Sequence, residues 1–249
     1  MTTPSTLDSP TASVPPPPPA AAWEDYLDIF YAPKRVFARR INGKFLVPLL
    51  FLTALMVAFY FSNQSLLAPI ADAEWDRQAA AIMKQNPNMT AEQIATGREF
   101  TEKFGVLFVA FGVPIIICLI GLSLWLVGKL VESTQTLRSA FVVATFAYFP
   151  RIIEQIVSGA QGLLLDPATF NSRYSVSLGL GRFFDPDTAS PVLLAILGRV
   201  DVFTIWVTVL LGIGLMVTGA IPAARAAVAA VIVWVLGAVP GLLGALRQG

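Results

Sequence analysis

The sequence contains no histidine, and among its 249 residues there is one cysteine, Cys118. Without imidazole the chain can build neither a serine–histidine triad nor an HExxH zinc site nor a histidine proton relay. A single thiol inside an apolar run rules out a disulfide within the chain and a thiolate metal cluster. Charge is equally scarce. Only 13% of residues are Asp, Glu, Lys or Arg, and they nearly cancel, leaving a formal net charge of +1. That balance excludes the basic face by which a protein holds nucleic acid. The motifs of a glycine-rich phosphate loop and of a nucleophile–base pair are also missing, so no catalytic residue, no metal ligand set and no cofactor is expected.

What remains is apolar. Hydrophobic residues make up 55% of the chain and the mean hydropathy is +0.68, far from the balance of a water-soluble domain. The composition predicts an all-α integral membrane bundle. Five apolar segments carry it, at about 45–62, 104–127, 140–165, 202–221 and 226–246, each near the 20 residues that a hydrocarbon core requires. The last two are joined through "PAAR" and predict a tight transmembrane hairpin. Residues 1–22 are polar, with five consecutive prolines at Pro15–Pro19. They read as a disordered or polyproline tail, not as a signal peptide, so targeting falls to the first span.

Between tail and first span stands "WEDYLDIFYAPKRVFARRINGK". Trp23, Tyr26, Leu27 and Phe30 share one helical face, with Glu24, Asp25 and Asp28 on the other, and Pro33 ends the turn. Beyond it Lys34, Arg35, Arg39, Arg40 and Lys44 precede the apolar run. The pattern predicts an interfacial amphipathic helix, in which Trp23 and the five cations contact lipid headgroups or a partner. By the positive-inside rule the same cluster places the N-terminus in the cytoplasm, and five spans then place the C-terminus outside. The segments on the outer side contain an amphipathic helix over Ala71–Asn86 and, at "TAEQ", Thr90–Gln93, the capping-box pattern of a further helix that leads into the second span. A short apolar patch, "PVLLAIL", either dips into the outer leaflet or caps the bundle.

The third span is unusual. Tyr148, Arg151, Gln155 and Ser158 recur at helical spacing, with Glu154 and Gln161 beside them, making one side polar over several turns. Arg151 falls near mid-membrane and Glu154 lies three residues on, close enough to neutralise it. Asp201, at the mouth of the fourth span, is a second candidate partner. Pro150 frees the carbonyl of Phe146 and predicts a kink where the charged pair begins. Small residues spaced by four, Ser158 and Gly162, Thr208 and Gly212, Gly237 and Gly241, predict close helix contacts. An odd number of spans does not divide into two inverted repeats.

Taken together, "WEDYLDIFYAPKRVF", "AYFP" within the third span and "LGRVDVFTIWVTVLLGIGL" leading into the fourth resemble the Ypt-interacting-protein (Yip) domain family in its prokaryotic form, over about Trp23 to Leu246. Eukaryotic relatives, which bind prenylated Rab-type GTPases, carry Asp-Leu-Tyr-Gly-Pro before the first span. Here Asp28 to Pro33 reads "DIFYAP", one residue longer and without glycine. The resemblance implies five spans, a cytoplasmic N-terminus, residence in a bacterial inner membrane and no established catalytic activity. Two kinds of function fit these residues. One is a non-enzymatic protein that organises membrane lipids or partners, whether another membrane or cytoplasmic protein or a second copy of itself. The other is a small transporter, channel or lipid-translocating protein with a polar pathway along the third span.

Overall fold

A computed structural model describes residues 23–248; the proline-rich stretch 1–22 lies outside the described residues. The protein is an all-α multi-pass membrane bundle. Five helices are long and apolar enough to cross a bilayer, Leu46–Gln64, Ala91–Leu130, Leu137–Leu164, Val202–Gly219 and Ala223–Leu246. Ahead of them two short helices, α1 (Asp25–Tyr31) and α2 (Pro33–Arg39), form a hairpin that turns at Ala32. The interfacial element is therefore two helices and not one, because Pro33 cannot donate a backbone hydrogen bond to the preceding turn.

The first span is α3 (Leu46–Gln64), followed by the amphipathic α4 (Ala68–Gln85), with Pro69 in its first turn. The second span is not confined to 104–127. It is part of a 40-residue helix, α5 (Ala91–Leu130), about 60 Å long at about 1.5 Å per residue and so about twice the thickness of a hydrocarbon core. Its start is set by the capping box. The Thr90 hydroxyl accepts the Gln93 amide at 3.3 Å, and the Gln93 side chain accepts the Thr90 amide at 2.9 Å.

The third span is interrupted. α6 (Leu137–Ala147) stops and α7 (Pro150–Leu164) begins after Tyr148 and Phe149, as Pro150 predicts. The freed Phe146 carbonyl is not orphaned, because it accepts the amide of Phe149 at 3.3 Å. α8 (Pro191–Leu197) then leads to the fourth span, α9 (Val202–Gly219). The link from α9 to the fifth span is Ala220–Pro222 and not "PAAR", whose last three residues already belong to α10 (Ala223–Leu236). Ala220 makes this reversal in the left-handed region, φ 50°. The fifth span is interrupted as well. Pro240 cannot bond to the Leu236 carbonyl, and the chain breaks at Gly237 before α11 (Val239–Gln248).

The core lies where α6 crosses α5 and α9. Phe146, Val142, Leu124, Leu210 and Leu215 are buried there almost completely. Gly121 lets α5 lie against Phe141, and Gly214 lets α9 lie against Val143; at each, a Cβ would collide with the facing side chain. The expected glycine contacts hold for Gly212, which faces Ala226 and Ala230 of α10. They shift in α7, where Gly159 meets Asn63 of α3 and Gly162 meets Leu66 and Leu67 in the link between α3 and α4, and Ser158 is not the contact. They fail for Gly241, which has nothing within 4 Å, while Gly237 meets the Arg199 guanidinium instead of a helix.

Candidate functional site

Two polar constellations stand out against this apolar frame. The first begins at the break in the third span. Tyr148 caps the end of α6, and its ring lies 5.9 Å from the Arg151 guanidinium. One Arg151 nitrogen donates to Glu154 Oε2 at 2.6 Å, the i, i+3 pair expected within α7. The other donates to the Thr204 hydroxyl of α9 at 2.8 Å. That hydroxyl in turn donates to Asp201. Asp201 thus meets Arg151 through an intermediary and not directly. Its other oxygen is committed to capping α9, accepting the amides of Phe203 and Thr204 at 2.9 Å each.

The rest of the stripe divides. The Gln155 backbone carbonyl, not its side chain, accepts the Asn63 amide at 2.9 Å, and the Gln161 side chain donates to the Val176 carbonyl at 2.8 Å. Ser158 is half-buried and joins none of these bonds. So Tyr148, Arg151, Glu154 and Asp201 form one connected group, whereas Gln155 and Gln161 mark where α7 is fastened to α3 and to the loop that follows α7.

Reasoning from the sequence missed three contributors, Thr204, Asn63 and Arg199. The guanidinium of Arg199 donates to the Trp234 carbonyl at 2.8 Å and stands 5.7 Å from that indole ring, beside the break at Gly237. Burial, and then the neighbouring Arg151, push it below its usual pKa. Its proximity to Asp201 in "GRVDVF" was the available signal. An isolated antiparallel bridge between Gly179 and Asp201 holds this corner, with the Leu180 amide donating to Val200 and the Val202 amide to Leu178.

The second constellation is the α1–α2 hairpin. Helical spacing places Asp25 and Asp28 opposite the aromatic face, which suggests that they point to water. Instead both carboxylates are buried, and Trp23, Leu27 and Tyr31 are 61%, 55% and 69% exposed. The reason is electrostatic. Asp25 pairs with Arg39 and Arg40, each at 2.5 Å; Asp28 pairs with Arg39 and accepts the Tyr31 hydroxyl. The Tyr31 hydrogen bond and Arg39 hold the Asp28 carboxyl below the usual carboxylate range. The five basic residues therefore differ in their partners within the chain. Arg39 and Arg40 turn to the acids, while Lys34, Arg35 and Lys44 are exposed and make no ion pair among the described residues.

The hairpin is docked by rings. Tyr26 stacks on Phe149 at 5.4 Å and on Phe146 at 6.0 Å, the two residues flanking the break in the third span, and lies 4.8 Å from Phe51. Phe30 meets Trp206 of α9 edge-on at 5.8 Å. Ile29, Val36 and Phe37 are fully buried beneath them. The hairpin and the Arg151 group are thereby built on adjoining residues.

No curated protein and no solved structure matches the chain. The family model described as the Yip1 domain matches residues 27–244, from within α1 to within α11. The chain therefore belongs to the Yip1 domain family.

Proposed function

We propose that this protein is a non-enzymatic organiser of lipid or partner proteins at a bacterial inner membrane, with its N-terminus in the cytoplasm and its C-terminus outside. One observation carries the reading. The hairpin hides both of its buried carboxylates against Arg39 and Arg40, and so presents Trp23, Leu27 and Tyr31 together with Lys34, Arg35 and Lys44. Exposed rings beside unpaired cations suit the interface of an anionic leaflet, or an acidic partner held there. Neutralising Arg39 or Arg40 would unfold the hairpin and prove nothing about contact, so the informative variant is Lys34→Gln with Arg35→Gln and Lys44→Gln. The protein is extracted in native membrane patches and everything that copurifies is identified by mass spectrometry. Loss of an anionic lipid or a stoichiometric protein from the triple variant supports the proposal; an unchanged set of companions overturns it.

A polar pathway along the third span is the second reading. It is favoured by the Nε atoms of Arg151 and Arg199, both buried and without a hydrogen-bond partner among the described residues. Liposomes containing the pure protein would then show anion flux that falls in Arg151→Ala, and a bilayer that stays tight would end this reading.

A further inference from the structure

On the side of the bundle away from the hairpin, a cleft of about 750 Å³ lies between α4, α8, α11 and the loop that precedes α8. That is within the range of small-molecule sites, about 300–1,000 Å³. Its polar wall holds three cations, Arg77, Lys84 and Arg173, and two acids, Glu74 and Asp187. The acids are already engaged by Arg77, at 3.3 and 3.2 Å. The guanidinium of Arg173 donates to the Tyr174 hydroxyl at 3.1 Å and rests 5.1 Å from that ring, and among the described residues neither it nor Lys84 makes an ion pair. The cleft wall therefore carries three cations against two acids, and neither Lys84 nor the Arg173 guanidinium is held in an ion pair among the described residues, although Glu74 stands close to Arg173.

The opposite wall is chemically different. Gly241, Gly244 and Ala245 come from α11, the second half of the fifth span. Nothing lies within 4 Å of where a Cβ would stand on Gly241 or Gly244. Helix backbone is therefore bare to the cleft at the level of a membrane span, in the same cleft as Lys84 and Arg173. A soluble anion would use the cations and leave the glycine wall bare. An amphiphile uses both, its phosphate at Lys84 and Arg173 and its chains along α11.

The outer wall is suited to admitting such a ligand. α4 is fastened to the facing loop by polar contacts, Arg77 to the Asn171 carbonyl and the Arg173 amide to Glu74, with only Ile70 and Leu67 contributing to a small apolar cluster against Phe170 and Val176.

We propose that this cleft binds the phosphodiester headgroup of an anionic phospholipid from the leaflet opposite the hairpin, with its acyl chains lying on the glycine face of α11. The site is separate from the hairpin and stands whether or not the hairpin contacts lipid.

The test is native mass spectrometry of the full-length protein in detergent, titrated separately with phosphatidylglycerol, phosphatidylcholine and inorganic phosphate. Wild type should take up phosphatidylglycerol in preference to phosphatidylcholine. Lys84→Gln with Arg173→Gln should weaken that binding about thirtyfold, at about 1 kcal/mol for each cation removed. Gly244→Leu fills the apolar wall where there is no neighbour to displace, and should weaken it with the cations intact. The Lys34, Arg35, Lys44 triple variant should bind as wild type does. Equal uptake of phosphatidylcholine, or wild-type affinity in both cleft variants, would overturn the proposal. Inorganic phosphate binding as tightly as the lipid would overturn it too, in favour of a soluble anion.

Discussion

The guanidinium of Arg151 donates to the hydroxyl of Thr204 at 2.8 Å, and through that bond α7 is tied to the first turn of α9. The same hydroxyl is held by Asp201, which caps the helix. A charge on one span is thus anchored by the start of another. The connection turns a local ion pair into a tertiary one, and each of its members can be tested.

Arg151→Leu leaves Glu154 without its cation and Thr204 without its donor. Both charged side chains are less than a third exposed, so the loss should be about 3 kcal/mol, at the low end for breaking a buried pair. Arg151→Leu combined with Glu154→Leu should regain most of it, because no charge is then left buried. Unfolding by denaturing detergent measures both. Wild-type stability in the single variant would show that the pair does not hold the bundle.

Gly179→Ala tests the corner that presents Asp201. An added Cβ would lie 2.7 Å from the Asp201 Cβ and 2.8 Å from the Val200 carbonyl, and neither can move without disturbing the bridge. A cost of about 2 kcal/mol is expected, with faster hydrogen exchange over residues 178–202. Unaltered exchange there would contradict the close approach.

The hairpin should respond to acid. The Asp28 carboxyl is held below its usual range, first by the Tyr31 hydroxyl and then by Arg39. Its ionisation therefore favours the folded hairpin at every pH above the unfolded carboxylate value of about 3.9, and that contribution is lost as pH falls through the lower folded value. Amide protection in α1 should be constant from neutral pH down to about 4 and then decline. In Asp28→Asn the decline attributable to this group should disappear.

Thr90→Ala removes one half of the capping box on an exposed helix end. The effect should be local, about 1 kcal/mol, and visible as faster exchange of the amides of residues 92–94 with little change in the stability of the spans. A large drop in overall stability would mean that the N-terminal part of α5 is coupled to the bundle more tightly than its exposed surroundings indicate.

Much of the architecture was readable in one dimension, since a bilayer demands long apolar helices and the chain marks their ends with short-range chemistry. Thr90 with Gln93 starts α5, and Pro150 interrupts the third span, because caps and missing amide donors act within a turn. The pairing of Arg151 with Glu154 was legible for the same reason, being three residues apart on one helix.

Which face of each element turns inward was decided elsewhere. The periodicity of α1 turns Trp23 and Leu27 to one side and Asp25 and Asp28 to the other, yet it is the two acids that lie inside the protein, because Arg39 and Arg40, brought round by the turn at Ala32, neutralise them. Asp201 looked like a direct partner of Arg151, but its oxygens are taken by the start of α9 and by Thr204. Arg199 gains its role only where α10 breaks at Gly237 and exposes the Trp234 carbonyl to it. Composition and local signals alone thus determine that this chain is a five-span helical membrane protein and that its third span breaks at Pro150, whereas the break at Gly237 in the fifth span was not read from them. The partners of Asp25 and Asp28 across the turn at Ala32, those of Arg151 and Arg199 on other spans, and the surfaces left over for lipid or partner depend on contacts beyond a helical turn, which only the folded chain brings together.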